Sequence, residues 1–247
     1  MKNTSFNNKV VLITGAARRI GATTVRALHD LGANIVLHFR SSADDATALA
    51  DELNANREGS VVTIQADLLN FNALSQLASD AFACFGRLDI LINNASSFYP
   101  TPLGDMSEMQ FDNLMGSNLK APLFLSQACY PFLLKTNGCI INMVDIHARS
   151  PLKNHTIYSC AKAANAMLVK SLAKEMGPDV RVNGVAPGAI LWPENELDAQ
   201  QMQAIIDDIP LQKTGCPQDI ADTIIFLAQH HYINGQIIVI DGGRQLF

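Results

Sequence analysis

Charge is scarce in this 247-residue chain: Asp, Glu, Lys and Arg make up 17% of it, against about a quarter in ordinary soluble domains. A lone subunit's surface normally carries more, so apolar area covered by further subunits is expected. The net charge of −5 comes with no long basic run, which leaves nucleic acid or an anionic membrane without electrostatic support as a partner. The apolar runs are too short to span a bilayer, and the polar, Asn-rich opening from Met1 to Lys9 lacks the apolar core of a signal peptide. The five cysteines are odd in number and form no Cys-x-x-Cys pair, and the six histidines show no metal-ligand spacing. A disulfide framework and a metal centre are therefore not expected, and reduced thiols in a cytoplasm are.

What is present is alternation. Short β-branched runs at Val10 to Thr14, Asn34 to His38, Val61 to Gln65, Leu88 to Ile92, Cys139 to Val144, Val180 to Asn183 and Gln236 to Ile240 read as strands. Between them, Ile20 to Leu31, Ala43 to Asn56, Phe71 to Phe85, Ser107 to Leu134, Thr156 to Met176 and Pro217 to Gln229 have helical period and length. Strand-helix alternation predicts an α/β fold with a seven-stranded parallel sheet covered on both faces. No linker, repeat or low-complexity stretch divides it, so a single domain over 1–247 is expected. One segment breaks the rhythm: Pro187 to Pro210 holds the only tryptophan, Trp192, and a small acidic helix around Asp198 to Asp207. Long irregular segments in compact domains are often lids.

The first strand runs into Thr14-Gly-Ala-Ala-Arg-Arg-Ile-Gly21 and then a helix. Gly15 permits a tight turn, Gly21 permits close approach of helix to strand, and the amides at the helix start can hold a pyrophosphate. Arg18 and Arg19 bring two guanidiniums to that turn. At the end of strand two a carboxylate would select NAD through the ribose hydroxyls, but this chain reads Leu37-His-Phe-Arg-Ser-Ser42. An arginine with hydroxyls beside it suits a 2′-phosphate, hence NADP.

Further along stands Tyr158-Ser-Cys-Ala-Lys162, with Asp145 thirteen residues upstream where a serine is commonplace in dehydrogenases. Residues four apart share a helix face, so the Lys162 ammonium is expected to lower the proton affinity of the Tyr158 phenol and make it a proton donor.

Thr14-Gly-x-x-x-Arg-x-Gly21, Asp67-Leu68, Asn93-Asn-Ala95, Asn118, Tyr158-x-x-x-Lys162, Pro187-Gly188 and Asp241-Gly-Gly243 recur in the order and spacing of the short-chain dehydrogenase/reductase family. Within it the chain resembles the pteridine reductases, which share the arginine in the glycine turn, the segment from Asn93 to Leu103, and aspartate in place of the usual catalytic serine. The Leu191-Trp-Pro-Glu194 loop resembles bacterial members. The resemblance implies an NADPH-dependent reductase of oxidised or dihydro pterins or folate-like substrates, built as a homotetramer through the helices of Ser107 to Leu134 and Thr156 to Met176. By the same resemblance Asp145, Tyr158 and Lys162 are catalytic. Gly15, Arg18, Arg19, Ile20 and Gly21 would hold the pyrophosphate, His38, Arg40 and Ser41 the 2′-phosphate, and Asp67 and Leu68 the adenine. Asn94, Ala95 and Ser96 would meet the nicotinamide end and Lys162 its ribose, with Pro187 and Gly188 also binding the cofactor. Phe98 would stack on the pterin, with Arg19, Ser96 and Trp192 lining the substrate and Asn118 positioning a water toward Lys162. Arg40 and Ser41 depart from eukaryotic relatives, which carry His and Arg there. A reductase of carbonyl, quinone or acyl-thioester substrates is the alternative, and the missing serine at Asp145 separates the two.

Overall fold

The computed structural model describes residues 6–192 and 198–246. Pro193 and Glu194 of the Leu191-Trp-Pro-Glu194 stretch and Phe247 lie outside the described residues. Seven parallel strands form one sheet in the order β3-β2-β1-β4-β5-β6-β7: β1 (Val10–Ile13), β2 (Asn34–Phe39), β3 (Val61–Gln65), β4 (Ile90–Asn93), β5 (Cys139–Met143), β6 (Arg181–Pro187) and β7 (Ile237–Ile240). The central strands read as unbroken apolar runs because both faces are covered. Along β1, Val11 and Ile13 face one core and Val10 and Leu12 the other, as the period of two requires.

Helices α1 (Arg19–Asp30), α2 (Ala43–Asn56) and α8 (Pro217–Gln229) cover the first face. The second carries α3 (Phe71–Phe85), α5 (Ala121–Leu134) and α6 (Thr156–Met176), with α4 (Glu108–Met115) packed against the start of α6 in a smaller cluster of its own. Local signals set their ends: Asn70 caps α3 through its side chain, Ser107 and Gln110 form a capping box on α4, and α3 stops at Gly86 with φ 69°. The small acidic helix expected around Asp198 to Asp207 is α7 (Ala199–Asp207), capped by Asp198.

The expected helix from Ser107 to Leu134 is interrupted by a π turn at Gly116–Lys120. Pro122 explains the irregularity. It has no N–H to return to the carbonyl four residues back, that of Asn118, and this carbonyl instead accepts from Asn165 Nδ2 on α6 at 2.9 Å.

Strand order reverses between β1 and β4, and in sheets of this kind the crevice beyond the carboxyl ends at that reversal is where ligands bind. Two loops meet there: the glycine turn after β1 and the extended segment after β4.

Candidate functional site

The glycine turn is built so that nothing larger fits. Gly15 has φ 60°, and a Cβ there would lie 2.9 Å from Ala95 Cα; a Cβ on Gly21 would lie 2.5 Å from the Gly15 carbonyl oxygen. Asn94 closes the turn from β4, its Nδ2 donating to the carbonyls of Thr14 and Gly15 at 2.9 Å each. Thr14 Oγ1, which sequence reasoning had passed over, accepts from the amides of Asn94 and Ala95 at 3.0 Å. Arg19 carries φ 53°, the left-handed region that glycine usually fills, a strain of roughly 1–2 kcal/mol for a side-chain-bearing residue. Its guanidinium donates to the Trp192 carbonyl at 3.0 Å, tying the turn to the segment after β6.

A cleft of about 420 Å³ opens above this turn. It gathers Gly15, Arg18, Arg19, Ile20 and Gly21 from the turn, with Arg40 and Ser41 from the end of β2. Asp67 and Leu68 from the end of β3 and Asn94, Ala95 and Ser96 from the end of β4 complete it. Ser42, Ser97 and Ser117 also line it, and no spacing rule pointed to them. Arg18 leans toward α2, where its Nε pairs with Asp45 at 2.6 Å. The size, the amides at the start of α1 and the closely fitted glycines suit a dinucleotide.

His38 lines the cleft as well, but its ring nitrogens are engaged with the protein rather than turned toward a 2′-phosphate. Its ring is buried beneath the turn, Nδ1 accepting from the Gly15 amide at 3.2 Å and Nε2 facing the Ala66 carbonyl at 3.1 Å. Those partners assign the Nε2–H tautomer. Burial pushes the imidazole down to about 4, against the raising effect of the Ala66 carbonyl and Asp67, so it is neutral at pH 7. It props the turn, and both ring nitrogens are spent doing so. Arg40 and Ser41 remain at the cleft.

Beside the cleft stand the groups for proton chemistry. Tyr158, in the first turn of α6, donates from Oη to Asp145 Oδ2 at 2.6 Å. Asp145 follows β5 and caps a 3-10 turn at Ile146–Ala148, its Oδ1 accepting from the His147 amide at 2.8 Å. The Lys162 side chain is fully enclosed, its Nζ donating to the Met143 carbonyl at 2.9 Å and lying 5.6 Å from the Tyr158 ring centroid. Burial brings this ammonium down to about 8, with Asp145 opposing the shift.

The expected lowering of the phenol is not what this arrangement produces. Burial drives Tyr158 well above 10, and the Asp145 charge and hydrogen bond push the same way. Lysine and tyrosine do share a helix face, but Lys162 is drawn down to β5 while the phenol faces a carboxylate. Tyr158 is thereby held as the protonated acid.

Phe98, after β4, meets Tyr158 edge-on with ring centroids 4.8 Å apart and planes at 76°, and it is 47% exposed. Asn118 donates from Nδ2 to the Ser97 carbonyl at 2.9 Å, fixing the stem of that segment. Pro187 and Gly188 sit at the carboxyl end of β6, beside the end of β7 and outside the walls of the cleft; Gly188 is pressed against Asp241, whose Cα would lie 2.8 Å from an added Cβ. Among the described residues no His, Cys, Asp and Glu group could hold a metal, and no helix is long and apolar enough to cross a membrane.

A family model described as enoyl-(acyl carrier protein) reductase matches residues 15–245. The chain is 36% identical to pteridine reductase 1 of Leishmania tarentolae, over 98% of each chain. It is also 34% identical to a 3-oxoacyl-[acyl-carrier-protein] reductase of Synechocystis, over 99% of this chain and all of the relative. A 7alpha-hydroxysteroid dehydrogenase of Bacteroides fragilis is 33% identical over 96% of this chain and 95% of its own.

Proposed function

This chain belongs to the short-chain dehydrogenase/reductase family of nicotinamide-dependent oxidoreductases, and we propose that within it the protein is an NADPH-dependent pteridine reductase. The observation that carries this reading is the 2.6 Å bond from Tyr158 Oη to Asp145 Oδ2 beside a half-exposed Phe98. A serine at that position would offer a hydroxyl donor to a reacting carbonyl oxygen. A carboxylate offers no such donor, but with the phenol it forms a pair that can hold a proton and hand it to a ring nitrogen. The 36% identity to a pteridine reductase points the same way.

Arg40 and Ser41, at the cleft end of β2, would hold the 2′-phosphate that distinguishes NADPH from NADH; the turn amides would hold the pyrophosphate, and Ala95 and Ser96 would border the nicotinamide. When bound, the cofactor supplies a hydride to an electrophilic carbon of the pterin. The chain's own residues do the rest. Phe98 offers a ring for one face of the flat heterocycle, Arg19 and Ser96 would meet its polar edge, and Tyr158, kept protonated by Asp145, delivers a proton to the nitrogen beside the reduced carbon. Lys162 contributes positive charge from below. Bringing the reactants into contact in this orientation is the larger part of catalysis. Such an enzyme would work in the cytoplasm, as a homotetramer.

The test is consumption of NADPH and, separately, NADH by purified protein offered oxidised pterins, dihydropterins, folates and simple ketones. Turnover of dihydropterin with NADPH favoured over NADH is expected. Reduction of ketones with no pterin turnover would sink the reading.

A further inference from the structure

Phe98 already carries a ring on one face. The His155 imidazole lies nearly parallel to it, with centroids 4.7 Å apart and planes at 15°, while Tyr158 meets its edge. Since one face is covered and the ring is still 47% exposed, the opposite face is the open one. The imidazole does nothing for the helix that begins with it: His155 is the N-cap of α6, yet its side chain makes no capping hydrogen bond. Instead Nδ1 lies 2.9 Å from the Lys153 carbonyl, and because a carbonyl only accepts, Nδ1 carries the proton and the ring plane is set. The backbone beneath is clamped as well. The Thr101 amide donates to the Asn154 carbonyl at 2.6 Å, and Thr101 and His155 form an isolated parallel bridge. The loop after β4 and the turn before α6 are thus held together at the point where the two rings stack.

We propose that His155 is a positioning residue that backs Phe98, so that a flat heteroaromatic substrate on the open face completes a stack of three rings and is preferred over compact, non-planar substrates. The inference rests on the pterin reading and adds the residue that selects for ring shape. A backed ring loses less freedom on accepting a ligand, because its orientation is set beforehand.

The experiment compares wild type with His155→Leu, His155→Phe, Phe98→Leu and the double variant H155L/F98L, measuring kcat and KM for a dihydropterin and the Kd for NADPH. Aromatic pairs are worth enough that H155L should raise the pterin KM about two- to tenfold, with a much smaller change in kcat. His155→Phe should restore it, since a planar ring is kept. NADPH Kd should not move, because His155 lies outside the cofactor cleft. In the Phe98→Leu background, H155L should add little, the signature of two residues acting through one another. An unchanged KM in H155L, failure of H155F to restore it in a folded protein, or additive effects in the double variant would overturn the inference alone. A wild type that reduces ketones and not pterins would overturn it together with the functional reading.

Discussion

Replacing Asp145 tests the chemistry most directly. The carboxylate makes two bonds, one to the Tyr158 hydroxyl at 2.6 Å and one to the His147 amide at 2.8 Å. Asp145→Asn can keep the second while turning the first around, since an amide nitrogen facing the phenol donates where the carboxylate accepted. Asp145→Ser is too short to keep both. Hydrogen bonds to a charged group are worth about 1.5–3 kcal/mol, and about 1.4 kcal/mol is a factor of ten. Loss of this bond alone should therefore lower kcat for dihydropterin by roughly 10- to 150-fold, and more if proton delivery stops, for which about 10²–10⁴ is typical. The measurement is NADPH consumption at saturating pterin. A second readout follows from the electrostatics: removing the carboxylate takes away two of the three influences that hold the phenol up. In Asp145→Asn, tyrosinate absorbance attributable to Tyr158, by difference from Tyr158→Phe, should appear at lower pH than in wild type. If Asp145→Ser reduced pterin within about twofold of the wild-type rate, the assignment of the proton pathway would be wrong whatever the phenol did.

Lys162, brought down to about 8 by burial, loses its positive charge as pH rises through that value, so log kcat/KM should bend downward above about pH 8; a profile that stays level well beyond it contradicts the role given to the ammonium. Gly21→Ala places a methyl 2.5 Å from the Gly15 carbonyl oxygen, and overpacking of about 1–3 kcal/mol should weaken NADPH binding about 5- to 150-fold, read by fluorescence titration. Asp89 is 2% exposed and meets Lys9, both arms of Arg87 and the Val10 amide. Burial alone would raise its carboxyl, but Arg87, Val10 and Lys9 together hold it below the usual range. A depressed folded value means that its contribution is complete above the unfolded carboxylate value and is lost as pH falls through the folded one. Asp89→Asn should therefore cost about 2 kcal/mol at pH 7, a fall in Tm of about 4–8 °C, and the gap from wild type should close in acid.

Much of the fold was legible because hydrophobic period and cap chemistry agree locally. The intervals Ala43 to Asn56, Phe71 to Phe85, Thr156 to Met176 and Pro217 to Gln229 form helices with those bounds, and Val61 to Gln65 a strand. The strand at Val180 to Asn183 runs on instead to Pro187, since Gly184 and Ala186 carry no period for the eye to follow. The break in the long helix was written in Pro122, but the π turn it permits also depends on Asn165, a partner 47 residues away. The cleft residues at the glycine turn and the strand ends were legible because glycine spacing and strand ends determine which loops meet, whereas Ser42, Ser97 and Ser117 carried no such signal. Depth was not legible. Nothing in Leu37-His-Phe-Arg says that the His38 ring turns under the glycine turn with both nitrogens engaged, and nothing in Tyr158-x-x-x-Lys162 says that the ammonium leaves the phenol for a carbonyl of β5. His155 belongs to no period or motif and emerges only when the two loops are seen against each other.

The position of the acid has a cause that reaches well below the site. Tyr158, Lys162 and Asn165 lie at i, i+4 and i+7, one stripe of α6, and each meets a successively deeper point on or just beyond β5. Tyr158 meets Asp145, Lys162 meets the Met143 carbonyl, and Asn165 accepts from Asn142 Nδ2 at 2.9 Å. Asn142 accepts in turn from Asn93 of β4, and Asn165 donates to the carbonyl that Pro122 sets free. These asparagines are buried, where an amide left without a partner costs about 1–3 kcal/mol. A slip of α6 by one turn, 5.4 Å, would break every rung at once. The helix therefore has one register against the sheet, and that register sets the phenol within hydrogen-bond reach of the carboxylate. Buried asparagines below the site thus help determine where the Tyr158 hydroxyl meets the Asp145 carboxylate.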